Sequence, residues 1–491
     1  MSTITYRPPV IVILGHVDHG KTTLLDYIRK TNHATKEIGG ITQSIGAYEV
    51  DVPIKGYATS KITFIDTPGH EAFSQLRARG AHVADIALLI IDAVDSMMPQ
   101  TIEAIAHIQS AKIPMIVVIN KVDLPGARIE KVKNDLVQHN VMIEGLGGDI
   151  PVAAISAQKG TGIEDLLETI LIIAEEKKFT FSESNPVQGT IIESRKDRQG
   201  HGASVILSDG CLRIGDILYA GSEQVKVKSL ISSEGTHLKK VYPSTPFLLF
   251  GFNQIPKVGI MITTTIPKKE LVNPDTIIES PYRDNNEYVK TLLNQKKENK
   301  KLRLILKTTT QGSLDAILNT VGKNETISVI LATIGDITKS DIFLAKSTNA
   351  IIIGFSVRLE KNIVQLAEQE KVVIKTYDLI YKLLEELTEV STLLNEKEKK
   401  LKQLKGEAKI LAQFIIDKER VSGVKIIKGK LNINDTLEIY RNNNLIGKTK
   451  IASLKKRAHS VDEVKKNDEA GIIFYPQLDF LIGDMIKSYS I

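Results

Sequence analysis

A single cysteine, Cys211, stands in a chain of 491 residues, so an internal disulfide is impossible and a disulfide-stapled secreted scaffold is excluded. Long apolar runs are missing as well. Stretches such as Ile86–Ile91 are among the longest, and they fall far short of the ~20 residues a membrane span needs. Nothing near Met1 has the apolar core of a secretory signal. Neither sign of charge dominates: 64 Lys+Arg against 58 Asp+Glu leave +6, too little by itself to indicate a nucleic-acid partner. A reducing cytoplasm is therefore expected, with an organelle stroma as the alternative, and no membrane association. What is present is ordinary: 42% hydrophobic and 25% charged residues describe a globular protein rather than a disordered one. At roughly one domain per ~150 residues, the length implies three or four domains.

The first segment, 1–178, alternates apolar strands with helical stretches. Val10–Leu14, Lys61–Ile65, Ile86–Asp92, Met115–Asn120 and Val152–Ile155 read as strands, and Glu164–Ala174 as a closing amphipathic helix. Continuous apolar strands separated by helices predict a parallel sheet covered on both faces. Residues 179–270 carry short strands broken by turn signals such as Asp209-Gly210 and Ile214-Gly215-Asp216, the pattern of a small antiparallel barrel. A charged linker, partly helical, is expected over 271–301. Alternation returns in 302–376 with Leu302–Lys307, Ile327–Thr333, Ala350–Phe355 and Val372–Lys375, a second α/β unit. From Tyr377, the spacing of Ile380, Leu383, Leu384, Leu387 and Leu394 predicts one long helix over 377–405, stopped by Gly406. Residues 406–491 read as a second barrel. No internal repeat stands out.

Chemistry enters at Gly15-His16-Val17-Asp18-His19-Gly20-Lys21-Thr22-Thr23, between the first strand and a helix to about Arg29. A glycine-bracketed loop ending in Lys-Thr lets backbone N–H groups approach phosphates. Lys21 adds a point charge at their outer oxygens, and the Thr22 hydroxyl can ligate Mg²⁺. Asp66-Thr67-Pro68-Gly69 follows the next strand, placing a carboxylate for the Mg²⁺ shell, through water, and the Gly69 N–H for a γ-phosphate. Asn120-Lys121-Val122-Asp123 ends another strand. Asp123 can accept from the ring N1–H and the exocyclic amino group of guanine, where adenine offers a ring acceptor and no amino group. Ser156, Ala157 and Gln158 follow the last strand and complete a base pocket. The four signals predict a P-loop GTPase using GTP/GDP rather than ATP. His70 is placed to orient an attacking water, and Thr42 can reach Mg²⁺ if its loop is ordered by GTP.

Taken together, Gly15–Thr22 with Leu24–Arg29, Gly40–Tyr48, Asp66–Phe73, Arg77–Ala81 and Met98–Ile105 resemble bacterial-type translation initiation factor 2. So do Gln311–Ser313, Asn349–Phe355, Tyr377–Ile380, Ser453–Lys456 and Asp462–Val464, and the resemblance runs nearly end to end. It implies a factor that places formylmethionyl initiator tRNA on the small ribosomal subunit and promotes joining of the large one. Hydrolysis would be ribosome-stimulated, with other initiation factors as further partners and a monomer as the free form. By motif match, the resemblance makes Thr22, Thr42 and, through water, Asp66 the Mg²⁺ ligands, and His70 the hydrolytic residue.

Four features depart from that family's pattern. The nucleotide-binding strand begins at Val10, so a short form lacking the long N-terminal extension of many relatives is expected. Ser422-Gly423-Val424 and Glu469-Ala470-Gly471 stand where relatives usually carry cysteines, leaving Val424 and Ala470 as an apolar lining for a methionyl side chain. Gln158 replaces a usual lysine, and Thr308-Thr309-Thr310 precedes Gln311. From Gly406 onward there are 15 Lys+Arg and 11 Asp+Glu. Lys455-Lys456-Arg457 and Lys465-Lys466 are therefore expected at acceptor-end phosphates, a contact that weakens with salt. Phe474-Tyr475 offers rings for the barrel core or for base stacking, the core taking precedence. Three other readings stand beside this one: the archaeal and eukaryotic counterpart, an RNA-binding scaffold with structural GTP, and a GTPase acting on another aminoacyl-tRNA.

Overall fold

The computed structural model describes residues 5–30, 42–197, 199–266, 301–324, 326–401, 404–416, 419–441, 444–457, 459–476 and 478–489. The expected linker lies almost wholly outside them, as do Gly39, Gly40 and Ile41. Two compact units are formed, Met1–Glu385 and Glu386–Ile491.

The first unit opens with a six-stranded sheet made of β1 (Val10–Gly15), β2 (Gly46–Asp51), β3 (Lys61–Asp66), β4 (Ile86–Asp92), β5 (Met115–Asn120) and β6 (Val152–Ala154), ordered β2-β3-β1-β4-β5-β6. Every residue of β1, β4 and β5 is buried, which is why these strands read as unbroken apolar runs. Five strands are parallel as expected. The exception is edge strand β2, antiparallel to β3, with no buried residue and hence no apolar period to announce it. Around the sheet lie α1 (Lys21–Arg29), α2 (Ser74–Val83), α3 (Pro99–Ala111), α4 (Ile129–Gln138) and α5 (Ile163–Lys177).

An antiparallel sheet follows. It contains β7 (Gln188–Asp197), β8 (Gly200–Asp209), β9 (Ile217–Ala220), β10 (Glu223–Lys226), β11 (Ser229–Ser232), β12 (His237–Leu238), β13 (Phe247–Phe252) and β14 (Met261–Thr263), ordered β10-β9-β14-β7-β8-β13-β11-β12. Only Val227 and Lys228 separate β10 from β11, so the chain itself joins one end of the sheet to strands near the other, around a core that includes Ile191, Val205, Leu218 and Leu249.

The next α/β part has four parallel strands, β15 (Leu302–Thr308), β16 (Ile327–Ile334), β17 (Ile351–Phe355) and β18 (Ile374–Tyr377), ordered β16-β15-β17-β18, with α6 (Gln311–Val321), α7 (Lys339–Thr348) and α8 (Lys361–Glu370). The run of threonines before α6 has a local purpose: the Thr310 hydroxyl accepts the Ser313 N–H and caps the helix. The long helix α9 (Ile380–Leu401) is narrower than expected at both ends. Tyr377 closes β18, and Gly406 does not stop the helix but pairs with Gly429 inside the strand that follows.

In the last part, β19 (Leu404–Ile416), β20 (Glu419–Asn432), β21 (Thr436–Arg441), β22 (Asn444–Lys456), β23 (Glu463–Lys465), β24 (Glu469–Tyr475) and β25 (Met485–Tyr489) form the order β19-β25-β21-β22-β24-β20-β23. Pairing of β19 with β20 closes six of these strands into a barrel, a ring without free edges. Val424 and Ala470, read as a methionyl lining, both belong to its buried core. Phe474 and Tyr475 divide: Phe474 packs edge-on against Phe480 in the core, while Tyr475 is 76% exposed. Among the described residues no helix is long and apolar enough to cross a membrane.

Candidate functional site

Gly15 ends β1, the loop between β1 and α1 carries His16 to Gly20, and Lys21, Thr22 and Thr23 open the helix. Their backbone N–H groups belong to the first turn, where no intrahelical acceptor exists and the helix dipole favours an anion. Gly20 has φ +88° and a Cβ there would lie 2.3 Å from Asn120 Nδ2, so no other residue fits this corner. Lys21 is buried, and its Nζ donates to the Gly15 carbonyl at 3.0 Å and to that of His16 at 2.5 Å. Burial lowers the ammonium's pKa, and Asp66 opposes that shift. Val17 N–H donates to Gln100 Oε1 at 3.0 Å, and Asp18 sits in a left-handed turn. His16 and His19 meet edge to face. Burial drives His19 down to about 4, so its imidazole is neutral, and its Nδ1 lies 3.3 Å from the Ile90 carbonyl and the Asp92 N–H.

Three oxygen-bearing side chains from separate segments converge beside this loop. Thr22 Oγ1 lies 3.2 Å from Thr42 Oγ1, and Thr42 Oγ1 donates to Asp66 Oδ2 at 3.0 Å. Two hydroxyls and one carboxylate form a hard-oxygen set that fits Mg²⁺, an ion that takes few protein ligands and keeps waters and phosphate oxygens. Gly69 abuts the Lys21 ammonium, where a β-carbon would come within 2.8 Å of Nζ. His70 caps a short 3-10 turn, Glu71–Phe73, its Nδ1 accepting the Ala72 N–H at 2.9 Å. Burial lowers its pKa, Glu71 opposing and Arg77 assisting, which keeps the ring neutral near pH 7 with its proton on Nε2.

Asn120 links two loops of the site. Its Nδ2 donates to the His19 carbonyl at 2.9 Å and its Oδ1 accepts the Ala157 N–H at 2.9 Å, tying the phosphate loop to the Ser156-Ala157 turn. Lys121 pairs with Asp92 at 2.6 Å. The Asp123 carboxylate is held below its ordinary range chiefly by the Ser156 hydroxyl, and Lys159 approaches it at 3.4 Å. Gln158 is exposed.

This geometry accords with the comparisons. Residues 7–176 match the elongation factor Tu GTP binding domain, residues 186–265 match domain 2 of elongation factor G, and residues 279–388 match translation-initiation factor 2. Translation initiation factor IF-2 of Thermotoga sp. strain RQ2 is 41% identical over 499 residues, an alignment spanning 99% of this chain and 71% of that protein. That of Fervidobacterium nodosum is 43% identical over 500 residues, spanning 99% and 72%. The chain belongs to the translation initiation factor IF-2 family. Its first segment is accordingly the guanine-nucleotide-binding domain of a translational GTPase. Among solved structures, GDP-bound aIF5B from Aeropyrum pernix aligns over 98% of this chain and 92% of its own, at 25% identity and a TM-score of 0.43.

For this family member, motif reading left several residues without a role. Arg77 is fully buried and donates to the carbonyls of Pro68, Gly69 and His70 at 3.0, 3.1 and 2.7 Å while pairing with Glu103. It is the support beneath the Asp66–His70 loop. Gln43 is clasped to the start of α9, its Nε2 donating to the Asp378 carbonyl at 2.8 Å and its Oε1 accepting the Ile380 N–H at 3.0 Å. An arginine is almost never inside unless paired, and only the structure shows that Arg77 is inside. The Gln43 clasp left no local trace.

Proposed function

We propose that this chain is a GTP-operated switch that places formylmethionyl initiator tRNA on the small ribosomal subunit, promotes joining of the large one, and hydrolyses GTP when the ribosome stimulates it. The observation that carries the reading is the convergence of Thr22, Thr42 and Asp66 beside Lys21 and Gly69. With GTP bound, Lys21 and the α1 N-terminus grip the phosphates, Gly69 N–H meets the terminal one, and Asp123 with the Ser156-Ala157 turn reads guanine. Thr22, Thr42 and Asp66 would hold Mg²⁺, which neutralises charge on the phosphate oxygens. Loss of the terminal phosphate removes what orders the Thr42 and Asp66–His70 segments. Moving a two-state population from 1:99 to 99:1 needs about 5.5 kcal/mol of differential affinity. Two or three charge-assisted contacts at about 1.5–3 kcal/mol each supply that.

His70 is the proposed water-orienting residue. Its neutral ring offers a proton on Nε2, and positioning is most of what phosphoryl transfer asks of a protein. The last barrel is the proposed holder of the aminoacyl end. Exposed Tyr475 and Phe414 offer stacking surfaces there, and Lys455 and Lys465 are proposed at the acceptor phosphates. A cytoplasmic location and the monomeric state belong to the same reading.

The test is His70→Ala in the full chain. GTP and GDP should bind as before, and ribosome-stimulated phosphate release should fall to background. Normal turnover in that variant, or identical behaviour towards subunits with GTP and GDP, overturns the proposal. Protection of formylmethionyl-tRNA from deacylation, against unformylated methionyl-tRNA, tests the barrel.

A further inference from the structure

The imidazole of His70 lies against the ring of Tyr381, with centroids 4.2 Å apart and planes tilted by 56°. Tyr381 comes from the first turn of α9, far along the chain. The same turn is where Gln43 takes the Asp378 carbonyl and the Ile380 N–H, one residue from the Thr42 that meets Asp66. Tyr381 also feels the negative charge of Asp18 in the phosphate loop and of Glu71. One helical turn therefore touches both the segment that carries Thr42 and the segment that carries His70.

We propose that Tyr381 is a positioning residue for hydrolysis: its ring holds the His70 imidazole in its working orientation, and Gln43 fixes the turn that carries the ring. This rests on the assignment of His70 as the water-orienting residue. The Ala72 N–H fixes which edge of the imidazole carries the proton, and Phe73 meets the ring edge to face at 6.1 Å, but both belong to His70's own short turn. Contact with the Tyr381 ring holds the imidazole from outside that turn, and misplacement of a reacting group by about 1 Å can cost on the order of 100-fold in rate. The contact also helps to keep water off the imidazole. The groups facing the two rings are Glu71 and Asp18, which are negative, and Arg77, which is positive.

Ribosome-stimulated turnover is measured for full-length Tyr381→Ala, Tyr381→Leu and Tyr381→Phe, beside His70→Ala, with GTP affinity and melting temperature as folding controls. Tyr381→Ala and Tyr381→Leu should lose about tenfold or more in kcat with KM unchanged. Tyr381→Phe should restore the rate, because the contact is made by the ring. The acid limb of kcat should move to higher pH in Tyr381→Leu as the imidazole becomes more solvated. Gln43→Ala should lower kcat too, and the Gln43→Ala, Tyr381→Leu double variant should fall no further than the worse single one. A Tyr381→Leu protein that turns over like the parent, or Tyr381→Phe as slow as Tyr381→Leu, overturns the inference. If His70→Ala itself turns over normally, the reading beneath it falls instead.

Discussion

Glu193, in the antiparallel sheet of the first unit, accepts the backbone N–H of Gly312 at 3.1 Å, reaching across to the first turn of α6 in the neighbouring α/β part. The same oxygen accepts the Ser194 N–H at 2.9 Å. A Cβ on Gly312 would come 2.7 Å from the other Glu193 oxygen, so the contact depends on glycine. Nearby, Arg79 of α2 pairs with Asp315 of α6 at 2.7 Å. A carboxylate from another part of the chain thus occupies the helix N-terminus where an α/β unit ordinarily receives an anion.

This buried carboxyl makes stability depend on pH. Burial raises its pKa from an ordinary 4.5 to about 7, outweighing its two N–H donors and Arg79. A folded pKa above the unfolded one means that the folded state binds the extra proton, so this contribution is full below pH 4.5 and is lost as pH rises through about 7. At 1.36 kcal/mol per unit the loss is on the order of 3 kcal/mol. Glu193→Gln keeps the acceptor and removes the titration. Melting temperatures of parent and variant between pH 5 and about 8 should converge at the acid end and diverge at the alkaline end, the variant being the more stable there. Parallel curves would show that Glu193 does not titrate in this range.

Asp123→Asn should change nucleotide choice. The carboxylate accepts two guanine N–H groups in the proposed complex, and an amide would set a donor against one of them. GTP affinity should fall by on the order of 10⁴-fold, while XTP, with a carbonyl in place of the amino group, should gain. Titration with fluorescent analogues of both nucleotides measures this, and unchanged preference would remove Asp123 from the base pocket.

Arg77→Met removes the support under the Asp66–His70 loop. Three backbone carbonyls and the Glu103 carboxylate lose their cation in a fully buried position. Glu103 is 29% exposed and keeps its His107 partner, so the loss should stay below the about 3–5 kcal/mol of breaking a fully buried pair. Thermal unfolding should register that loss, and amide exchange at Gly69 and His70 should quicken. A melting point within a degree of the parent would show that the loop is held by other contacts.

Phe474 and Tyr475 should separate fold from function. Phe474→Ala empties a core site and should destabilise by about 3–5 kcal/mol. Tyr475→Ala, at a position 76% exposed, should leave melting within experimental scatter and weaken protection of the aminoacyl-tRNA ester. Unimpaired protection would take Tyr475 out of the tRNA surface.

The amino-acid sequence by itself determined the pieces whose physics is local. The phosphate loop was legible because Gly20, Lys21 and Thr22 act through a turn and a helix terminus a few residues long. β1, β4 and β5 were legible because full burial imposes an unbroken apolar run. The edge strand β2 was not, having no buried face to set a period. Only the tertiary structure decided that Gln43 and Ile380, 337 residues apart, share a hydrogen bond, that His70 rests on Tyr381, and that Glu193 caps α6. It also decided which of Phe474 and Tyr475 turns inward. Such contacts depend on how separately formed sheets and helices pack. A residue's neighbours in the chain encode its own turn or strand, but not the distant surface against which that element comes to lie.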